Sequence, residues 1–159
     1  MKHLPKHLRP RWRYLAVGIE AWPDADVSRD SFQRDLWYAA QNLLGDPGSA
    51  DADLTVLRFE FGDGAGETVV RTRRGYVEDA RAALACVDEV DGHPVGLRVR
   101  GVSGTVRAAS ERYLGRRAGI SEQRNVVFED TARTAYARDS ALDVRGPSGF
   151  VGATELDFE

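Results

Sequence analysis

Lysine is nearly missing from this chain of 159 residues: Lys2 and Lys6 are the only two among 22 basic residues, and the rest are arginine. Cysteine is scarcer still. Cys86 stands alone, which excludes an intrachain disulfide or a cysteine zinc cage and leaves the expectation of a small buried apolar side chain. No apolar run approaches the ~18 residues of a membrane helix. The basic start also lacks the apolar stretch of a signal peptide, so the expected location is the cytoplasm, with no membrane partner. Histidine numbers three. His3 and His7 have helical i, i+4 spacing but no third ligand nearby, and His93 falls in an expected turn. No metal ligands, no catalytic nucleophile with base and orienting group, and no protein-bound cofactor can be assigned on these residues.

What is abundant is arginine and aspartate. The net charge is −3, and 15 of the 25 acids are Asp. This Lys-poor, Asp-rich balance points to a very salty cytosol, with a GC-rich genome as the plainer cause. At molar salt the Debye length is about 3 Å, so attraction to a phosphate backbone would depend on direct arginine contacts. A negative net charge therefore does not exclude nucleic acid.

The length suits one domain with a tail. Residues 1–14 hold Lys2, Lys6, Arg9, Arg11 and Arg13 and no acid: a basic arm. Leu15, Val17 and Ile19 then alternate with Ala16 and Gly18 as a half-buried strand. Ser28 is an N-cap for a helix to about Leu44, closed by Gly45 and Pro47. Two strands follow, Asp53 to Phe61 and Glu67 to Arg73, joined by a glycine-rich reversal. A helix after Gly75, a strand from Val95 to Val102 and a shorter helix from Thr105 to Leu114 complete residues 15–115.

Strand, helix, two strands, helix, strand and a final helix fit an α+β, ferredoxin-like (split βαβ, RRM-like) sandwich: a four-stranded antiparallel sheet with an extra C-terminal helix. If Leu15, Leu57 and Leu97 meet the helices, the opposite face shows Tyr14, Arg58, Arg98 and Arg100, with Arg71 or Arg73 according to register. That face is open to phosphate contact or to coverage by the third helix. Residues 116–159 carry six basic and eight acidic residues and read as an acidic, partly disordered tail without a second core.

Two motifs have both a functional and a plain reading. Gly101 to Arg107 joins a strand to a helix through glycines and capping hydroxyls. It can receive an anion at the helix start or be only a tight, capped turn. The arm interleaves Trp12 and Tyr14 with Arg11 and Arg13, stacking groups beside phosphate-binding ones, and is either an RNA contact or a solvated basic face.

Three segments carry a family resemblance. LPKHLRPRWRYL at Leu4 to Leu15, RTRRGYVEDARAAL at Arg71 to Leu84 and VRGVSGTVRAA at Val99 to Ala109 resemble, in order and spacing, the protein component 2 family of archaeal ribonuclease P, relatives of a small eukaryotic RNase P and MRP subunit. The resemblance implies a non-catalytic subunit that assists an RNA enzyme in removing 5′ leaders from precursor tRNA. It further implies Mg²⁺ in the RNA active site, RNase P RNA as partner, precursor tRNA met indirectly, and a heterotetramer with a TIM-barrel subunit, component 3. The candidate RNA contacts are Lys6, Arg9, Arg11, Trp12, Arg13, Tyr14, Arg98, Arg100, Ser103, Gly104, Thr105 and Arg107. The alternatives are a ferredoxin-like module that binds a small regulatory molecule and a stand-alone nuclease. The lack of a compact acidic motif argues against the nuclease.

Overall fold

The computed structural model describes residues 3–115, 120, 122–139 and 141–157. Lys2 of the arm, and residues 116–119, 121, 140, 158 and 159 of the expected tail, lie outside them. The period-two pattern after the arm forms β1, Trp12–Ala21, whose Leu15, Val17 and Ile19 are buried on one side. Ser28 then starts α1, Arg29–Ala52, its Oγ accepting the Ser31 amide at 3.2 Å. The helix breaks at Gly45, where φ is 74°, and resumes through Pro47 to end at Asp53 in the left-handed region. The expected stop at Gly45 is thus a kink, because Pro47 falls in the first turn of the resumed segment, where its missing N–H costs nothing.

Strands β2, Thr55–Gly62, and β3, Ala65–Arg73, join through Asp63 and Gly64, both with positive φ. A two-residue turn of that kind matches the twist of the flanking strands. Helix α2, Val77–Ala85, follows, then β4, Glu89–Val90, β5, His93–Ser103, and α3, Val106–Tyr113. The sheet order is β2-β3-β1-β5-β4, with all neighbours antiparallel. Leaving out β4, this is the ferredoxin-like order expected from the sequence. The two-residue β4 is an addition that arises because Asp91 and Gly92 form a second positive-φ hairpin turn instead of an open loop.

Phe32, Leu36 and Ala40 of α1 and Ala80, Ala83 and Leu84 of α2 pack on Leu15, Val17, Val56 and Val70. Each large apolar side chain buried here contributes roughly 1.5–3 kcal/mol. Leu57, expected in this core, is displaced. The β2–β3 register shifts between Val56 and Arg58, so the buried place goes to Val56 and Leu57 is the extra residue of a bulge. The third helix covers part of the opposite face. A Cβ on Gly101 would lie 2.2 Å from Cζ of Tyr113, so only glycine lets that ring sit there. Cys86, expected buried, is exposed one residue past the end of α2, where the helix axis carries it off the core.

The largest departure comes after Gly115. Where a tail was expected, the described residues form an up-and-down antiparallel sheet of β6, Glu122–Phe128, β7, Thr131–Arg138, β8, Ala141–Gly146, and β9, Gly149–Thr154. It has its own small core of Ala135, Ala137, Leu142, Val144 and Ala153, backed by Val126 and Phe128. Its period-two spacing is carried largely by alanines in strands of six to eight residues, too weak a pattern to stand out from a polar tail.

This second sheet docks on the end of β1 and the β2–β3 turn. The buried Arg138 guanidinium donates to the Gly64 carbonyl at 2.8 Å, the Ala21 carbonyl at 2.9 Å and Asp143 at 3.0 Å. Beside it Trp22 stacks on Phe150, with ring centroids 6.0 Å apart.

Candidate nucleic-acid interface

The arm leads into the sheet. A short 3-10 turn at Lys6–Leu8 follows Pro5, and Arg9 Nε folds back to the Leu4 carbonyl at 2.8 Å. The Arg74 amide then donates to the Arg11 carbonyl at 2.9 Å, which extends the β1–β3 pairing into the arm. The next pairs are Trp12 with Arg73, Arg13 with Thr72 and Tyr14 with Arg71. Alternation puts Trp12, Tyr14, Arg71 and Arg73 on the face away from α1 and α2. Arg13 shares the helix-bearing side with buried Thr72.

Trp12 is a platform for cations. The Arg71 guanidinium lies 4.0 Å from its ring centroid and that of Arg73 lies 5.7 Å away. Such stacking holds a guanidinium in place while its N–H edge still meets other groups. Arg73 also faces Asp53 at 3.7 Å, a weak pair between half-exposed groups.

The Gly101 to Arg107 segment reaches the same end of the sheet, because Ser103 pairs with Tyr14. Thr105 caps α3, its Oγ1 accepting the Ala108 amide at 3.1 Å. Gly104 is exposed, has no positive φ, and has open space where a Cβ would be. The fold therefore does not need glycine there. Arg107 projects into solvent and pairs with Glu111 at 2.8 Å across one helical turn.

Apart from Arg13, which lies on the helix-bearing side, the candidate set falls into two groups. Trp12, Tyr14, Ser103, Gly104, Thr105 and Arg107 share one end of the sheet with the arm residues Lys6, Arg9 and Arg11. Arg98 sits opposite Gly18, four residues along β1 from Tyr14 and so roughly 13 Å away at 3.3 Å per residue. Arg100, in the β1–β5 bulge, is partly buried and held by buried Glu67 at 2.8 Å and by the Tyr113 carbonyl at 3.3 Å. Glu67 also accepts the Gly115 amide at 2.7 Å. Arg100 therefore latches the end of α3 to β3.

Arg71 and Arg73, which the sequence offered on this face only as alternatives set by register, both lie on it, and Arg74, which it did not offer, completes the basic end. Their signal is the run RTRR at the close of β3, but only the Trp12–Arg73 register shows that it meets the arm.

The model of the Rpp14/Pop5 family matches residues 13–114. A ribonuclease P protein component 2 from Halorubrum lacusprofundi is 65% identical over the whole of both chains. One from Haloarcula marismortui is 61% identical over 99% of each. One from Methanosarcina mazei is 37% identical over 114 residues, 72% of this chain and 93% of its own. The family match ends at Leu114, before β6, whereas the two relatives from halophiles match across the second sheet as well.

Proposed function

Since this chain belongs to the Rpp14/Pop5 family, we propose that it is a protein subunit of ribonuclease P, assisting a catalytic RNA in removing the 5′ leader of precursor tRNA. The observation that supports this most is the basic end of the sheet, where arm, β3 and the Gly101 to Arg107 segment converge around Trp12. Arginines stacked on an aromatic platform present planar forks to RNA phosphates, and the ring adds a surface for an unpaired base. The halophilic source of the first two relatives agrees with the arginine-for-lysine composition, since direct forked contacts persist where long-range attraction is screened.

The chemistry belongs to the RNA in this reading. Mg²⁺ held by that RNA would supply activation of water and stabilisation of the leaving oxygen. The protein's own residues do not fit that ion: among the described residues no three His, Cys, Asp or Glu gather closely enough to hold one. What the chain supplies is positive charge and shape. Its other partner is a TIM-barrel component 3 in a heterotetramer, and its site of action is the cytoplasm. Among the described residues no helix is long and apolar enough to cross a membrane.

The test is RNA binding by variants of the basic end. The double variant Arg71→Ala, Arg73→Ala removes one exposed and one partly buried side chain, neither in the hydrophobic core, and is expected to keep the fold while weakening RNase P RNA binding about tenfold or more. The slope of log affinity against log salt should fall by roughly 0.7–0.9 for each phosphate that the variant no longer neutralises. Unchanged affinity and slope would contradict the proposed interface.

A further inference from the structure

A second basic site lies away from the arm. Between β5, the end of α3 and the second sheet there is a cleft of about 640 Å³, within the size range of small-ligand sites. Its floor is open at Gly96, while at Gly18 the Arg100 guanidinium lies on the strand. A Cβ at Gly96 would meet nothing within 4 Å, so the strand surface there is bare.

The basic wall is made by Arg98, Arg100 and Arg112. Arg98 and Arg112 are exposed and have no ion pair among the described residues. Arg100 is anchored to Glu67 and the Tyr113 carbonyl through Nη1 alone. Its Nε and Nη2 lie flat over Gly18, each 2.8 Å from where a Cβ would stand. The guanidinium is thus fixed where it forms part of the cleft lining.

Acids from two different elements complete the lining: Glu20 at the end of β1, and Asp139 just past β7 in the second sheet. Arginines alone would suit any anion. Carboxylates beside them suit a ligand that also offers N–H donors, as the amino group of cytosine does, whereas uracil presents a carbonyl there.

We propose that this cleft binds one unpaired nucleotide of single-stranded RNA, its phosphate on Arg98 and Arg112 and the amino edge of its base toward Glu20 and Asp139. This rests on the reading of the chain as an RNA-binding subunit and adds a second contact with base preference. The second sheet supplies Asp139, so the complete site exists only where that sheet is present.

The test uses the full chain and fluorescently labelled single-stranded oligocytidylate and oligouridylate. Gly96→Val places a side chain in the cleft at a position where a Cβ meets nothing within 4 Å, and Arg98→Ala, Arg112→Ala removes the phosphate contacts. Both should keep the wild-type melting temperature and bind oligocytidylate about tenfold or more weakly. Glu20→Gln combined with Asp139→Asn should narrow the preference for oligocytidylate over oligouridylate. Wild-type oligocytidylate affinity in both the glycine and the arginine variants would overturn the cleft assignment. The interface at the arm is judged separately, because it is read with Arg71→Ala, Arg73→Ala on RNase P RNA. Weakened binding there together with intact cleft variants defeats this inference alone.

Discussion

Arg138 and Asp143 are the residues whose surroundings most constrain them. The guanidinium meets two backbone carbonyls of the first sheet and one carboxylate of the second. Burial pushes the Asp143 carboxyl above its ordinary 3.8; Arg138 pulls it back, and nearby Glu20 adds to the upward shift. A carboxyl that holds its proton more tightly folded than unfolded makes stability fall as pH rises through the window from 3.8 to the raised value. Asp143→Asn, which stays neutral, should lose that slope and be no less stable than wild type at neutral pH. Urea unfolding followed by tryptophan fluorescence across that window checks it, and a slope that survives in Asp143→Asn would contradict the assignment. Arg138→Met keeps the stem but leaves two carbonyls and a carboxylate buried without their donor, at a cost of about 3 kcal/mol by the same measurement. Nothing in the sequence marks Arg138 as different from the other arginines. Its role follows from a hydrogen bond to a residue 117 positions away along the chain, which no local pattern encodes.

At the scale of elements, α3 and the turn before it separate fold from function. Thr105 caps the helix, so Thr105→Ala should lower stability by about 1 kcal/mol. Gly104 has ordinary backbone angles and open space, so Gly104→Ala should stay within about 0.5 kcal/mol of wild type. If an RNA phosphate approaches the backbone there, the added methyl lowers RNA affinity in a protein that melts normally. Equal affinity would leave the segment a capped turn. The helices and strands of residues 15–115 were legible because Leu15, Val17 and Ile19 alternate and Phe32, Leu36 and Ala40 recur at helical spacing. Val56 taking the place of Leu57 was not, since a bulge changes which face a residue meets without changing the sequence pattern. The basic end was legible only in part: the arm aromatics and arginines stand together in the chain, whereas Arg71 and Arg73 join them through strand register.

The whole molecule is two sheets joined by an arginine latch and stacked rings, and its basic groups are sorted by position. The arm, β3 and the loop before α3 form one basic end; Arg98, Arg100 and Arg112 form another beside the second sheet. The second sheet was not legible in the sequence because its strands are short, each holds at most one or two large inward side chains such as Leu142 and Val144, and alanines take the other core places. Its extent follows the halophile relatives rather than the family model, which ends at Leu114. The proposed role as a ribonuclease P subunit unites these features: basic groups placed to meet RNA, with catalysis assigned to the RNA. The most direct measurement is cleavage of precursor tRNA with magnesium present, by the purified chain alone and by the chain combined with RNase P RNA and the companion subunits. The account predicts no specific cleavage by the chain alone. With the RNA and its partners, it predicts cleavage at the mature 5′ end at a lower magnesium concentration than the same mixture needs without this chain. Specific 5′ cleavage by the chain alone, or a magnesium requirement that its addition does not change, would contradict it.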